Sequence, residues 1–125
     1  MSNPINIYEI KPLVIDINDE TLKNIYFRRV IHTGIHSQLV LMTIAPNTDI
    51  GSEVHYTTEQ FIKIEGGYGV VELDDVQYPI NSGISINIPS GTKHNIINTS
   101  FSDDLKLYTI YSPPIHSANE LVMKK

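Results

Sequence analysis

Short apolar runs recur along most of the chain, and several of them alternate with polar residues. In residues 83–89 (GISINIP) the isoleucines lie on one face, while the serine and the asparagine lie on the other. A period of two predicts a strand with one buried face. The same pattern, together with β-rich runs that are too short for an amphipathic helix, predicts strands over 38–45 (QLVLMTIA), 60–64 (QFIKI), 69–73 (GVVEL) and 105–111 (LKLYTIY).

Turn-forming residues separate these strands. Glycine and proline occur at short intervals between residues 34 and 114, and Asp74 and Asp75 follow one predicted strand as a turn. A helical pattern is confined to residues 18–26 (NDETLKNIY). Because many short strands joined by turns are typical of a sandwich or barrel, we predict an all-β fold.

The length and composition fit one globular domain. The chain has 125 residues, of which 41% are hydrophobic and 18% are charged. A chain of this size buries about two-thirds of its unfolded surface, which is enough for one core. We predict a single domain over residues 1–125, with the barrel at about 25–113, an N-terminal arm at 1–24 and a C-terminal tail at 114–125.

Charge and residue usage exclude several classes of function. The net charge is −5 and the nine lysines and arginines are mostly scattered, whereas binding of nucleic acid needs a clustered positive surface. Cysteine is absent, so we expect neither a disulfide framework nor thiolate chemistry. No apolar run is long enough to span a bilayer, and the N-terminus lacks a signal-peptide pattern. We therefore expect no membrane partner and a cytoplasmic location.

The most specific pattern lies in the second half of the chain. Gly83, Pro89, Gly91, His94 and Asn98 together read G-x5-P-x-G-x2-H-x3-N. The two glycines permit tight turns, and the proline ends a strand because it has no N–H to donate to a neighbouring strand. His94 then begins the returning strand, and we expect its side chain to point inward on the same face as Asn98.

This pattern resembles the second motif of the cupin superfamily at every defined position. The first cupin motif, G-x5-H-x-H-x3-4-E-x6-G, is partly kept, because Asn47 stands at the leading glycine, Glu53 at the first histidine and His55 at the second. Asparagine tolerates left-handed backbone better than most residues, so we expect the turn at Asn47 to survive. The resemblance implies a cupin double-stranded β-helix, which is a jelly-roll barrel.

The acidic position of the first motif has two readings. Glu59 with Gly66 and Gln60 with Gly67 both satisfy the six-residue gap. If Glu59 faced the interior, Lys63 would follow it inward, and the burial of an unpaired lysine is costly. Strand alternation therefore favours Gln60 as the inward group and places Glu59 on the rim or the outer face.

The chain also resembles one branch of small bacterial-type cupins over nearly its full length. The segments that carry this resemblance are FRRVIHTG, QLVLMTIAP, IGSEVHYTTEQFIKIEGGYG, IPSGTKHNIINT and LKLYTIYSPPIH. The resemblance implies that a glutamate at the position of Glu53 is typical of the branch. Members are often described as similar to sugar-phosphate isomerases, but a fold alone does not determine a function.

The candidate metal ligands are Glu53, His55, Gln60 and His94. The usual cupin site has three imidazoles and one carboxylate, whereas this set has two imidazoles, one carboxylate and one amide oxygen, with the same net charge. Two histidines and a carboxylate are typical of non-haem Fe(II) sites, and Mn, Zn and Ni accept similar ligands. We therefore predict a divalent transition metal (Fe, Mn, Zn or Ni). The alternative for Gln60 is a hydrogen bond to another ligand.

Other residues are weaker candidates. Glu59 and Tyr111 are the predicted catalytic residues, since Glu59 could move a proton and Tyr111 could direct its hydroxyl toward a ligand, with core packing as the alternative for Tyr111. Arg28 or Arg29 could pair with a carboxylate or phosphate, although solvated edge charges are favoured. The segment SPPIH could order the C-terminal tail. The remaining histidines lack partners at ligand spacing, and we predict that they lie on the surface: His32, His36 and His116.

Three functions are compatible with this sequence. The favoured one is a metal-dependent enzyme that isomerises a sugar or oxidises a small organic acid. The second is the binding of a small ligand without turnover, and the third is a structural role through the protein surface without metal. The expected partners are a small molecule and a second copy of the chain, because two-fold dimers are the commonest oligomers.

Overall fold

The computed structural model describes residues 10–125, which form one helix and nine strands. In chain order the elements are α1 (Ile17–Lys23), β1 (Arg28–Thr33), β2 (Gln38–Ile44), β3 (Glu59–Gly66), β4 (Tyr68–Leu73), β5 (Val76–Asn81), β6 (Ser85–Ile88), β7 (His94–Asn98), β8 (Leu105–Ser112) and β9 (Leu121–Val122). Every strand predicted from the sequence is present. The predicted division into arm, barrel and tail stays a prediction.

The strands form two antiparallel sheets, which confirms the predicted all-β fold. The larger sheet has the order β6-β3-β8-β2-β1-β9 and the smaller one has the order β5-β4-β7. Buried side chains from both sheets form one hydrophobic cluster, because each strand turns its apolar face toward the other sheet. The cluster includes Val40, Met42, Ile62, Val71, Ile96 and Leu107.

Alternation along the strands decides which side chains enter this core. In β8 Leu105, Leu107 and Thr109 are fully buried and Tyr111 is 3% exposed, as the pattern in residues 105–111 predicts. The sequence pattern does not predict β1, β5 or β9. In β5 only one of the six residues is buried, so the apolar signal that reveals the other strands is missing there.

The helix is shorter than the sequence predicts. It begins after Asp16, whose carboxylate accepts a hydrogen bond from the N–H of Asp19 (3.0 Å) and so caps the first turn. It ends at Lys23 because Asn24 has extended backbone and is buried, with its side-chain amide bonded to the carbonyl of Tyr26 and the hydroxyl of Thr43. The predicted continuation to residue 26 is therefore wrong. No helix in residues 10–125 has the length and apolar character needed to cross a membrane.

Candidate metal centre

Three of the four predicted metal ligands converge at one place. One donor atom from each of Glu53, His55 and His94 lies within 4.8 Å of the other two. The His94 side chain is buried, while Glu53 and His55 are partly exposed. Residues that are far apart in the sequence therefore form a single cluster of one carboxylate and two imidazoles.

Backbone hydrogen bonds join the two sequence motifs that carry these residues. Glu53 and His94 form a bridge in which the N–H of each donates to the carbonyl oxygen of the other at 2.9 Å. The N–H of Gly91 donates to the carbonyl of His55 at 2.8 Å. Gly91 has a φ of +86°, a backbone angle that residues other than glycine rarely adopt. The expected left-handed backbone is also present at Asn47 (φ 56°), so both motif turns survive.

His94 is oriented by its own turn. Its Nδ1 atom lies 2.9 Å from the carbonyl oxygen of Thr92. A carbonyl oxygen can only accept a hydrogen bond, so Nδ1 carries the proton and Nε2 keeps its lone pair. Metal-binding histidines usually have such a partner on the second nitrogen, because it fixes the ring and the tautomer. The prediction that His94 points inward is confirmed, since it is 6% exposed.

His55 and Glu53 lie side by side, as residues two apart on an extended chain do. Nε2 of His55 is 3.0 Å from a carboxylate oxygen of Glu53, but it makes no hydrogen bond of acceptable geometry within residues 10–125. Burial lowers the pKa of His55 below its usual value, and the Glu53 carboxylate offsets this only in part. His55 is therefore neutral at pH 7, which is the form that binds a metal.

This donor set fits a divalent transition metal. Ligand bonds of about 2.0–2.2 Å place neighbouring donor atoms roughly 3 Å apart around one ion, and the His55 and Glu53 donors are 3.0 Å apart. Both atoms can bind the same cation, because a carboxylate oxygen and an imidazole nitrogen are ordinary ligands of such metals. Fe(II), Mn, Zn and Ni all accept two imidazoles with a carboxylate.

The structure places Gln60 inside and Glu59 outside. Gln60 is 6% exposed, together with Ile62 and Ile64 on the same face of β3, and Glu59 is exposed. Lys63 lies on the opposite face from Gln60 and pairs with Glu65 at 2.6 Å. The Gln60 amide donates to the hydroxyl of Thr109 at 3.0 Å, while its Oε1 atom is buried without a partner in the described chain. Strand alternation thus predicted correctly that Gln60 is the buried residue. The catalytic role of Glu59 stays a prediction.

Tyr111 lies between the metal cluster and the C-terminal tail. It is directly opposite Gln60 in the β3–β8 ladder, and its ring meets the ring of His55 edge to face at 6.0 Å between centroids. Burial raises the pKa of Tyr111 well above its usual value, so its hydroxyl stays protonated and able to donate a hydrogen bond. Its catalytic role stays a prediction.

The predictions for the remaining histidines are only partly correct. His36 is exposed, and His32 is half-buried with Nε2 at 2.9 Å from the carbonyl of Lys11. His116 is not a surface residue, because its side chain is 15% exposed and packs edge to face on Tyr111 at 4.9 Å. The sequence could not show this, since the path of the tail over the sheet decides it. The only local signal is the spacing of His116 and Glu120, four residues apart.

Gln38 fixes the tail that carries His116. Its buried side-chain amide donates to the carbonyl of His116 at 2.9 Å and accepts from the N–H groups of Ile115 and His116 at 3.3 and 3.0 Å. Because both ends of one buried amide bind the backbone of the tail, the segment SPPIH is ordered against β2. This agrees with the expectation that it orders the tail.

Arg28 and Arg29 have different environments. Arg29 is exposed, as predicted for an edge charge. Arg28 shares the inner face of β1 with buried Val30, its side chain is 18% exposed, and its Nη1 atom lies 3.4 Å from a carboxylate oxygen of Glu120. The same oxygen lies 3.2 Å from Nδ1 of His116. The prediction of a solvated edge charge is therefore wrong for Arg28.

Neutral His116 is expected to stabilise the fold. Burial, reinforced by the Arg28 guanidinium and partly offset by Glu120, lowers the pKa of His116 to about 4 from the usual 6.5. The folded protein therefore takes up a proton on His116 less readily than the unfolded chain does. The stability that the neutral ring contributes is complete above pH 6.5 and is lost as the pH falls toward 4. Because solvent screens a ring that is only partly buried, the corresponding free energy is about 2 kcal/mol.

Denaturant unfolding of the metal-free protein at pH 7 and pH 4.5 measures this effect. His116→Gln should lose less stability between the two pH values than the unchanged protein does. His36→Gln, at an exposed position, should show the unchanged loss. An equal loss in the protein and in His116→Gln would contradict the assignment.

Two antiparallel sheets with a converging Glu-His-His cluster define a class of small all-β proteins with a metal-type site. The chain belongs to the cupin family, because the family model described as a cupin domain matches residues 40–111. The match covers both motifs and all four candidate ligands. The resemblance to cupins in the sequence is thereby confirmed.

Several relatives share most of this chain. Protein L612 of Acanthamoeba polyphaga mimivirus is 45% identical over 115 residues, and YrkC of Bacillus subtilis is 41% identical over 115 residues. These alignments cover 90% and 87% of this chain but 72% and 61% of the relatives. The crystal structure of BH2720 from Bacillus halodurans is similar with a TM-score of 0.90 and 37% identity, and the match covers 96% of this chain and 95% of that one.

Proposed function

We propose that this cupin binds one divalent transition metal through Glu53, His55 and His94 and acts on a small polar molecule held beside the metal. The observation that carries the proposal is the convergence of the three donors within 4.8 Å, with Nε2 of His55 buried at 3.0 Å from the Glu53 carboxylate. Gln60 is the proposed fourth donor, because its free amide oxygen is buried on the inner face of β3.

Each residue contributes a distinct property to this site. Glu53 supplies negative charge against the cation, and His55 and His94 supply imidazole nitrogens. The carbonyl of Thr92 holds the ring of His94. When bound, the metal supplies polarisation of a carbonyl or hydroxyl oxygen. Tyr111, with its protonated hydroxyl and its ring against His55, is the residue that would orient a bound molecule by a hydrogen bond.

Isomerisation of a sugar and oxidation of a small organic acid both stay within this proposal. A Thermotoga maritima protein of this fold is described as a predicted oxalate decarboxylase, and it is 25% identical with a TM-score of 0.58. An Acidithiobacillus ferrooxidans protein carries a provisional assignment as a sugar phosphate isomerase, and it is 23% identical with a TM-score of 0.57. The second likeness shows the fold alone. A fold shared at this level does not select between the two reaction classes.

Elemental analysis tests the metal. We expect the purified protein to carry about one transition-metal ion per chain, and we expect chelation to lower its melting temperature, because a ligand at 100 times its Kd adds about 2.7 kcal/mol of stability. Glu59→Gln should keep both the metal and the melting temperature, since Glu59 is exposed. A protein without metal, whose melting temperature does not respond to added Fe, Mn, Zn or Ni, would overturn the proposal.

The exposed position of Glu59 favours a second candidate function, which is binding of a small ligand without turnover. Glu59 is the carboxylate that the sequence offers for proton transfer, and it lies on the opposite face of β3 from the buried Gln60. Incubation of the metal-loaded protein with sugars and small organic acids, followed by mass analysis, separates the two functions. A ligand that stabilises the protein and is recovered unchanged favours binding.

A cytoplasmic location and a homodimer are further proposals for this cupin.

A further inference from the structure

The unpartnered polar atoms of this protein extend beyond the metal cluster. Within residues 10–125, buried side-chain atoms without a hydrogen-bond partner are Nε of Arg28, Nε2 of His55, Oε1 of Gln60 and Nε2 of His116. Each such atom costs about 1–3 kcal/mol if nothing binds it, and native proteins have few of them. Two of these atoms belong to the proposed metal site, and the other two, on Arg28 and His116, need a separate explanation.

Arg28 and His116 are joined to the metal site by direct contacts. The ring of Tyr111 contacts the rings of both His55 and His116, with ring centroids 6.0 and 4.9 Å apart, respectively. Glu120 then links His116 to Arg28, because one of its carboxylate oxygens lies within 3.4 Å of both. We call Arg28, His116 and Glu120 the tail cluster. It lies next to the metal site, with Tyr111 as their shared wall.

The tail cluster offers one donor and one acceptor. The Nε–H group of Arg28 can only donate a hydrogen bond. Glu120 faces Nδ1 of His116, which keeps the proton of the neutral ring on Nδ1 and leaves a lone pair on Nε2. A ligand that satisfies both free atoms must therefore accept a hydrogen bond at Arg28 and donate one at His116. Hydroxyl groups can do either, whereas a carboxylate or a phosphate dianion has no proton to donate.

The charge of the tail cluster leads to the same ligand class. The positive charge of Arg28 is already matched by the carboxylate of Glu120 at 3.4 Å, and burial favours the neutral form of His116. The cluster thus has no net charge to offer an anion. An anionic group placed at Arg28 would also lie near the Glu120 carboxylate, and like charges at short range repel.

We propose that the tail cluster is the recognition site for hydroxyl groups at the far end of the ligand, so that this cupin takes neutral polyhydroxylated molecules, such as sugars or polyols, in preference to acids or phosphate esters. This inference rests on the proposed function, because the near end of the ligand is taken to lie at the metal. The free atoms of Arg28 and His116 are shielded from water, so their side chains must rotate to admit the ligand. The hydrogen bonds from Gln38 keep the tail backbone in place meanwhile.

Calorimetric titration of the zinc-loaded protein with sorbitol and with gluconate tests this inference. Both probes have six carbons, and gluconate differs in having one terminal carboxylate. We expect sorbitol to bind at least tenfold more tightly than gluconate. Arg28→Lys keeps the positive charge opposite Glu120 but removes the Nε–H donor, and His116→Phe removes the acceptor. Each variant should weaken sorbitol binding at least tenfold at unchanged zinc content, and Arg29→Gln, at an exposed position on the same strand, should not.

Three other results of these titrations would contradict the inference. Tighter binding of gluconate, no binding of either probe, or variants that bind sorbitol as the unchanged protein does would each overturn the inference. His116→Gln, which keeps an acceptor, should recover part of the affinity if His116→Phe folds poorly. Zinc content is measured for every sample, so failure to load zinc counts against the proposed metal site. Sorbitol titrations of the metal-free protein and its variants then still test the tail cluster.

Discussion

His94→Ala is expected to lower the affinity for zinc at least about 100-fold. The loss of a hydrogen bond to a metal ligand typically lowers metal affinity about 10–100-fold. His94→Ala removes a ligand itself. His94 is the buried member of the cluster, and Thr92 and the backbone bridge to Glu53 hold it in place. Competition with a chromophoric chelator measures the affinity.

Matched variants separate the ligands from a general loss of histidine or charge. Glu53→Gln keeps the shape but removes the negative charge, and it should also weaken zinc binding strongly. Gln60→Leu should have a smaller effect, because a neutral amide oxygen is a weak ligand for such metals. His36→Ala removes an exposed imidazole and should leave the affinity unchanged. If His94→Ala binds zinc as tightly as the unchanged protein, the three-residue site is wrong.

Asn98→Ala is expected to lower the free energy of unfolding by about 3 kcal/mol or more. Asn98 is 1% exposed, and its amide donates to the carbonyls of Ile44 and Asp103 at 2.9 and 2.8 Å. Its side-chain oxygen accepts from the N–H of Ser100 at 2.9 Å. Three backbone groups would lose their partners, and two of these hydrogen bonds are buried, at about 1–3 kcal/mol for each buried group before any rehydration.

Thermal and denaturant unfolding measure this loss of stability. At about 4 °C per kcal/mol for a domain of this size, the melting temperature should fall by roughly 12 °C. Asn87→Ala is the control, because Asn87 is exposed on β6 and such changes are usually within about 0.5 kcal/mol. Metal binding by folded Asn98→Ala should be retained, since Asn98 joins the end of β2 to a loop and is not one of the three converging donors. A change in stability no larger than that of Asn87→Ala would contradict this role.

The sequence predicted the fold and the centre of the site for a clear physical reason. Strands with one buried face carry a period of two, and turns need particular residues, so β2, β3, β6 and β8 are visible in the pattern alone. The same alternation placed Gln60 inward and Glu59 outward, because successive side chains on a strand point to opposite faces. Glu53 and His55 could be paired for the same reason. The family pattern then connected them with His94.

The tertiary structure alone decided what surrounds this site. Arg28 looked like an edge charge and His116 like a surface residue, because neither lies in an alternating apolar run. They become partly buried when β9 pairs with β1 and the tail is held against β2 by Gln38. The bridge between Glu53 and His94 likewise joins segments distant in sequence. The sequence by itself thus determined the strands and the metal-type donors, which depend on local periodicity and residue chemistry, while contacts between distant segments decided the tail cluster.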